Sequence, residues 1–290
     1  MTKVIVVCIV MLIVFISEVL IKSATARISI VLFCIFLYTL FLLRTPGREK
    51  VKLFPPNTVI ARNFSYQDID FISAWKTDDW GFKNNAIDRN NLTVVAIGDS
   101  FTEGVGVGID DTWCSQLTLK GKPTYNLGIQ GASPADMESI YKSHIDKLNT
   151  KVLLICYCGG TFVRNRGGFV IIKKRLMYRN FQNIVRDARE KGIQPILVYL
   201  QHLKQEQSRE DYEIIDMGHW AEKNNLPFIV LPDRIARNFF IHDGHMNKKG
   251  HSETAIALSW RIKYILSVCW CKDPTIDVHG NCLECDKRVQ

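Results

Sequence analysis

From residue 93 onward, short apolar runs alternate with longer amphipathic stretches. Thr93 to Ile97, Thr124 to Leu127, Lys151 to Tyr157, Pro195 to Leu200 and Pro227 to Leu231 are aliphatic, aromatic or β-branched through most of their length. Runs of this kind, without polar alternation, suit strands covered on both faces, as parallel sheets are. Between them lie helical patterns. Ser133-Pro134-Ala135-Asp136 has the form of a helix start, with an N-cap serine, proline at the first helical position and an acid near the positive end of the dipole. Tyr178 to Lys191 runs into Gly192, a C-terminal cap by type. Asp211 to Asn224 and Lys248 to Leu266 supply two further helices. The alternation predicts an α/β domain over residues 93–267, with helices packed against a mostly parallel sheet.

The N-terminal pattern is different. Val4 to Ile21 is almost wholly apolar, broken by Ser17 and Glu18, and Ile28 to Leu43 is apolar apart from Ser29 and Thr39. Each approaches the ~20 residues that a bilayer helix requires, so residues 1–44 read as two transmembrane helices in a hairpin. A secretory signal peptide is the alternative, with Lys3 before the apolar stretch and Ala24, Thr25 and Ala26 as the small-residue cleavage site. Residues 45–92 read as a linker and lead-in, with Pro46, Gly47, Pro55 and Pro56 near its start.

Composition narrows the function classes. The 290-residue chain carries a formal net charge of +8, but its basic residues are scattered and form no dense run with interleaved aromatics. That excludes nucleic acid as the expected partner and fits a membrane surface or an acidic glycan. Of the nine cysteines, Cys269, Cys271, Cys282 and Cys285 cluster in the tail, residues 268–290. They fit either a four-thiolate zinc knuckle or two disulfides, according to compartment. Cys8, Cys34, Cys114, Cys156 and Cys158 fall in apolar or helical segments, where small apolar filling is the ordinary role. No other cofactor is expected.

The candidate chemistry lies where the first strand of the domain ends. Gly98, Asp99 and Ser100 follow Ile97 directly, at the carboxyl edge where ligands of open α/β sheets bind. A serine becomes a nucleophile beside a base, and the base works best when a third group orients it. His245 and Asp243, in His242-Asp243-Gly244-His245-Met246-Asn247 just before the last helix, can supply both. His242 and His251 compete with His245 by residue type. The amides of Ser100 and of Gly128, in Asn126-Leu127-Gly128-Ile129-Gln130-Gly131 after the second strand, are candidate oxyanion donors.

In this order the segments resemble the SGNH (GDSL-type) hydrolase family, as membrane-anchored bacterial members have it. Gly98-Asp99-Ser100-Phe101-Thr102-Glu103-Gly104 looks like the serine block, and Asn126-Leu127-Gly128 with Gly131 looks like the glycine block. The stretch from Asp243 to His251 is similar to the closing Asp/His block. The resemblance covers about Asp79 to Leu266. It implies a three-layer α/β/α, flavodoxin-like fold and ester hydrolysis through Ser100, His245 and Asp243, with the Ser100 and Gly128 amides as oxyanion hole.

The sequence departs from the family at its third block, where an asparagine side chain usually completes that hole. Here it reads Tyr157-Cys158-Gly159-Gly160-Thr161-Phe162, and Thr161 or Asn165 are the candidates for its place. Many members also space acid and base as Asp-x-x-His, which would set Met246 in the position of the base. The function expected is a membrane-anchored serine esterase that removes an O-acyl group, O-acetyl first, from a glycan or lipid-linked substrate. An O-acyltransferase with the same triad and a catalytically impaired binding or scaffold relative are the alternatives. The implied partners are an acylated glycan or small ester, membrane lipid and a membrane acyltransferase. Topology pulls two ways: the charges Lys3, Arg44, Arg48, Lys50 and Lys52 at the outer ends of the hairpin favour a cytoplasmic domain, while the resemblance favours the extracytoplasmic face, which is the reading adopted.

Overall fold

A computed structural model describes residues 28, 32, 33, 52–66, 69–158, 169–200, 207–231 and 244–267; the side chains of 63–72, 169–173 and 207–211 are outside that description. The chain divides into two units, Met1–Lys50 and Val51–Gln290. In the first, Ile28, Leu32 and Phe33 are helical and exposed. Apart from these three positions, both N-terminal apolar segments lie outside the described residues. Among the described residues no helix is long and apolar enough to cross a membrane.

The second unit opens with an antiparallel hairpin, β1 (Val59–Tyr66) and β2 (Ile69–Lys76), in the stretch that hydropathy leaves without a periodic signal. The α/β domain follows in chain order: β3 (Leu92–Ile97), α1 (Ser100–Glu103), α2 (Trp113–Leu119), β4 (Thr124–Asn126), α3 (Pro134–His144), β5 (Thr150–Cys158), α4 (Phe169–Glu190), β6 (Gln194–Leu200), α5 (Gln207–Lys223), β7 (Phe228–Val230) and α6 (Lys248–Ser267). The five apolar runs are the five strands, each within one or two residues of the limits that hydropathy gives. All four strand pairings are parallel, in the order β4-β3-β5-β6-β7. This is the flavodoxin-like order, 2-1-3-4-5 when the five strands are counted alone.

Both faces of the sheet are covered, which is why its strands carry no polar alternation. Val95, Ile97, Leu153 and Ile155 pack with Met137 of α3, Phe181 of α4 and Met217 of α5. Val94, Ala96, Val152 and Leu154 turn to the other side, against Trp113 and Leu117 of α2 and Ala255 and Leu258 of α6. Each such aliphatic side chain contributes about 1.5–3 kcal/mol on full burial, so the central strands are the rigid part of the domain. Cys114, Cys156 and Cys158 are buried free thiols within the second of these layers.

The lead-in from Asp78 to Arg89 is ordered by its own polar contacts. Asp78 Oδ1 accepts the Trp80 and Phe82 amides at 2.9 Å each, and the Arg89 guanidinium lies 3.8 Å from the Trp80 ring centre. Phe82 is fully buried against Tyr125 and His144. The topology then places the site. From β3 the chain goes to β4 on one flank and to β5 on the other, so a crevice opens at the carboxyl end of β3, and Ser100 stands there.

Candidate active site

The turn after β3 is built by close packing. A Cβ on Gly98 would lie 2.1 Å from Thr102 Oγ1 and 3.0 Å from the Cys156 carbonyl oxygen, so only glycine lets the chain turn this tightly against β5. Asp99 caps the short helix α1, accepting the Phe101 amide at 3.0 Å. Its backbone carbonyl takes the Thr102 and Glu103 amides at 3.1 and 2.9 Å. Ser100 is the first helical residue, where the amide has no acceptor within the helix. Gly104 closes α1 in the left-handed conformation, φ +82°, and returns its amide to the Ser100 carbonyl at 3.0 Å.

His245 arrives from the far end of the sequence, just ahead of α6. Its Nε2 lies 2.9 Å from Ser100 Oγ, within the range of a nucleophile and its base. The Phe101 ring, with centroids 5.1 Å apart, backs the imidazole. Of the competing residues, His251 is buried, and its Nδ1 accepts the Trp113 amide at 3.2 Å. Burial, helped by the positive charges of Lys83 and His245, holds its pKa down at about 3, so it stays neutral and serves as a structural acceptor between α6 and α2. Met246 is buried in the core, with Sδ accepting from Thr254 Oγ1 at 3.3 Å. Asp243, His242, Thr161, Asn165 and the four tail cysteines lie outside the described residues.

Gly128, the expected oxyanion donor, sits in the turn after β4 against α1. Its amide donates to Asn126 Oδ1 at 2.8 Å, and a Cβ there would lie 2.3 Å from the Glu103 amide nitrogen. It is a packing glycine that lets the turn after β4 lie against α1. Asn126 fastens the same junction: Nδ2 donates to the Thr102 carbonyl at 2.9 Å, while the backbone amide and carbonyl are both taken by the Asn84 side chain, at 2.8 and 3.0 Å. Gly131, at φ +77°, has open space beside its Cα.

Three charged side chains that sequence reasoning did not single out, Glu103, Arg62 and Lys83, complete the surroundings together with the carboxyl of Asp99. Glu103, one turn along α1 from Ser100, is fully buried. Its carboxylate accepts the Gln130 amide and an Arg62 Nη1 hydrogen at 3.3 Å. Burial raises its pKa, and the Arg62 and Lys83 charges and the Gln130 amide oppose that rise. Lys83, also buried, donates to the Gly104 and Val107 carbonyls at 2.7 and 2.6 Å, and burial brings its pKa down to about 8. Asp99 has its carboxyl pushed up to about 6 by burial, against the lowering effects of the Phe101 amide and of the His245 charge. Among the described residues no group of three or more metal-ligating side chains gathers that could hold an ion.

No family model matches the sequence, and no curated protein does. Solved structures similar to this one include a GDSL-like lipase from Bacteroides thetaiotaomicron, 16% identical over 60% of this chain and 88% of that one, with a TM-score of 0.45. They also include the esterase EstA from a Pseudoalteromonas species, 14% identical over 61% of this chain and all of that one, TM-score 0.47. A third is an acetyl-xylooligosaccharide esterase from Geobacillus, solved as a mutant, 15% identical over 64% of this chain and all of the other, TM-score 0.47. The likeness is one of fold.

Proposed function

We propose that the protein is a serine ester hydrolase that removes an O-acyl group, O-acetyl first, through an acyl-Ser100 intermediate. The observation that carries this reading is the 2.9 Å contact between Ser100 Oγ and His245 Nε2 at the carboxyl edge of the parallel sheet. In the first step His245 Nε2 takes the Ser100 proton as Oγ bonds to the ester carbonyl carbon. The tetrahedral oxyanion forms in reach of the Ser100 amide, at the start of α1. Collapse expels the alcohol, which takes the proton back from His245. Water then repeats the cycle on the acyl-enzyme, releasing the acid and restoring Ser100. Asp243 is the orienting group for His245 in this reading, two residues before it in sequence.

Labelling with a fluorophosphonate, which phosphonylates activated serines, tests the mechanism. The wild-type protein is expected to label and Ser100→Ala to fail, with His245→Ala labelling at least about 10²-fold more slowly, as expected for loss of general-base assistance. Equal labelling of the wild type and Ser100→Ala would sink the reading.

The same proposal places the protein at a membrane through its N-terminal apolar segments, with the α/β domain on the extracytoplasmic face and an acylated glycan or lipid-linked ester as substrate. Residues 4–21 and 28–43 supply the apolar lengths for anchoring. A membrane-impermeant maleimide, applied to intact cells after mild reduction, is expected to reach the tail cysteines. Reaction only after lysis, with no reductant needed, would put the domain in the cytoplasm.

A further inference from the structure

The β1–β2 hairpin brings one cation to the rim of the serine site. Arg62 of β1 faces Ser73 of β2 across the ladder, and Ser73 Oγ fastens the hairpin to the loop after α1 by donating to the Val107 carbonyl at 2.7 Å. The Arg62 guanidinium packs against two rings, 5.0 Å from the Phe54 centroid and 5.4 Å from that of Trp75. Its Nη1 donates to Glu103 Oε1 and to Gln130 Oε1. Glu103 belongs to the short helix that begins at Ser100, so Arg62 is held against the element that carries the nucleophile.

This arginine is held without being used up. Its side chain remains 24% exposed, and among the described residues neither Nε nor Nη2 has an acceptor. Those two N–H groups form the side-on edge of the guanidinium, which pairs with two oxygens of a carboxylate or phosphate. Two aromatic contacts and two acceptors on Nη1 fix the plane of the group, so little conformational freedom is left to lose on binding. Glu103 does not cancel the local charge alone, because the buried Lys83 lies within its field beside Arg62.

We propose that Arg62 is an anion-recognition residue of this site, and that the ester processed at Ser100 carries a carboxylate or phosphate on its alcohol part. The inference rests on the esterase reading for its substrate, and its test separates the two. Acetyl esters of methyl glucoside, methyl glucuronate and methyl glucoside 6-phosphate share a ring and differ in charge at one end. Wild-type kcat/KM is expected to be at least tenfold higher for one or both charged esters, and the ester preferred tells carboxylate from phosphate. In Arg62→Gln that preference should fall to within about threefold of unity, through KM, and Arg62→Lys should retain part of it. No preference in the wild type, or an equal loss of kcat on all three esters in Arg62→Gln, would show that Arg62 only staples the hairpin to Glu103.

Binding of the unacetylated sugars to Ser100→Ala, followed by NMR titration, needs no turnover. Charged sugars should bind at least tenfold more weakly when Arg62→Gln is added to that background. Binding that ignores the added substitution, or no binding of any sugar, overturns the inference. Arg62-dependent binding with no hydrolysis of any ester by the wild type would leave the inference standing and remove the esterase reading.

Discussion

Asp99 and Ser100 are half-buried neighbours with different tasks: the serine presents its hydroxyl to His245, while the carboxylate before it caps the helix that carries the serine. Because the folded-state pKa of Asp99 is raised from 3.8 to about 6, the folded protein binds the proton more tightly than the unfolded chain does. The stability contributed by Asp99 is therefore fully present below about pH 3.8 and is lost as pH rises through about 6. Asp99→Asn retains an oxygen to cap Phe101 and carries no charge. Its thermal midpoint relative to wild type is expected to rise between pH 4 and pH 7, by about 1–2 kcal/mol in equivalent stability. A difference that stays flat across that range would mean that the carboxylate is well solvated.

At this scale the sequence reveals nucleophile and base but not their supports. Ser100 and His245 are legible because each stands at the boundary of a strongly patterned element, where chemistry is expected. Glu103, Lys83 and Arg62 are not, because nothing local in a sequence says that a charged residue is buried. Their hydrogen-bond partners lie between 21 and 68 positions away, and they meet only once the hairpin has docked. Gly128 shows the reverse difficulty. A glycine near a site can serve a ligand, a neighbouring backbone or both, and the close approach that requires glycine here, 2.3 Å from a Cβ to the Glu103 amide nitrogen, is visible only in the fold.

Among the elements, α3 is the one whose start is written out in full. Ser133 accepts the Asp136 amide while Asp136 takes the Ser133 amide at 2.8 Å, with Pro134 in the first turn. Ser133→Ala is expected to cost about 1 kcal/mol in urea denaturation, with the rate of Ser100 labelling kept, since the capping contacts it removes lie within the first turn of α3. Gly128→Ala should behave differently. The added methyl group meets Thr102 and Glu103 backbone, so the change displaces α1 and should slow Ser100 labelling by more than tenfold as well as lowering stability. Labelling at the wild-type rate would show that the turn can shift without moving the serine.

The strands of the sheet are legible for a different reason from α3: both faces are covered, so burial and sequence pattern coincide. The hairpin escapes because its strands interleave polar and charged residues with their apolar ones and hold no long uninterrupted apolar run. The signal is nevertheless there in β2 and just past it, where Ser73, Trp75 and Thr77 are buried and Ala74 and Lys76 are exposed, a period of two carried by one aromatic and two hydroxyls. Hydropathy alone does not register such a strand.

In the Val51–Gln290 unit taken whole, the hairpin, the serine helix and the loop after it meet at Lys83, so a part of this unit's response to alkaline pH should pass through that ammonium. Lys83 gives two hydrogens to the Gly104 and Val107 carbonyls and lies 4.2 Å from the Trp75 ring centre; Val107 also accepts from Ser73 of the hairpin. Burial lowers its pKa from 10.5 to about 8, so between those values the unfolded chain holds the proton and the folded protein has lost it. Its contribution to stability is then greatest above about pH 10.5 and is lost as pH falls through about 8. Lys83→Met keeps the length of the side chain and removes the charge. The stability of wild type minus that of the variant, from urea denaturation at a series of pH values, should rise from pH 8 to pH 10 with a slope on the order of 1 kcal/mol per pH unit. Taking the difference cancels the lysines and tyrosines common to both proteins, which titrate in the same range. A flat difference would mean that the two carbonyls and the indole face compensate the buried charge in full, and that Lys83 keeps its proton across the range.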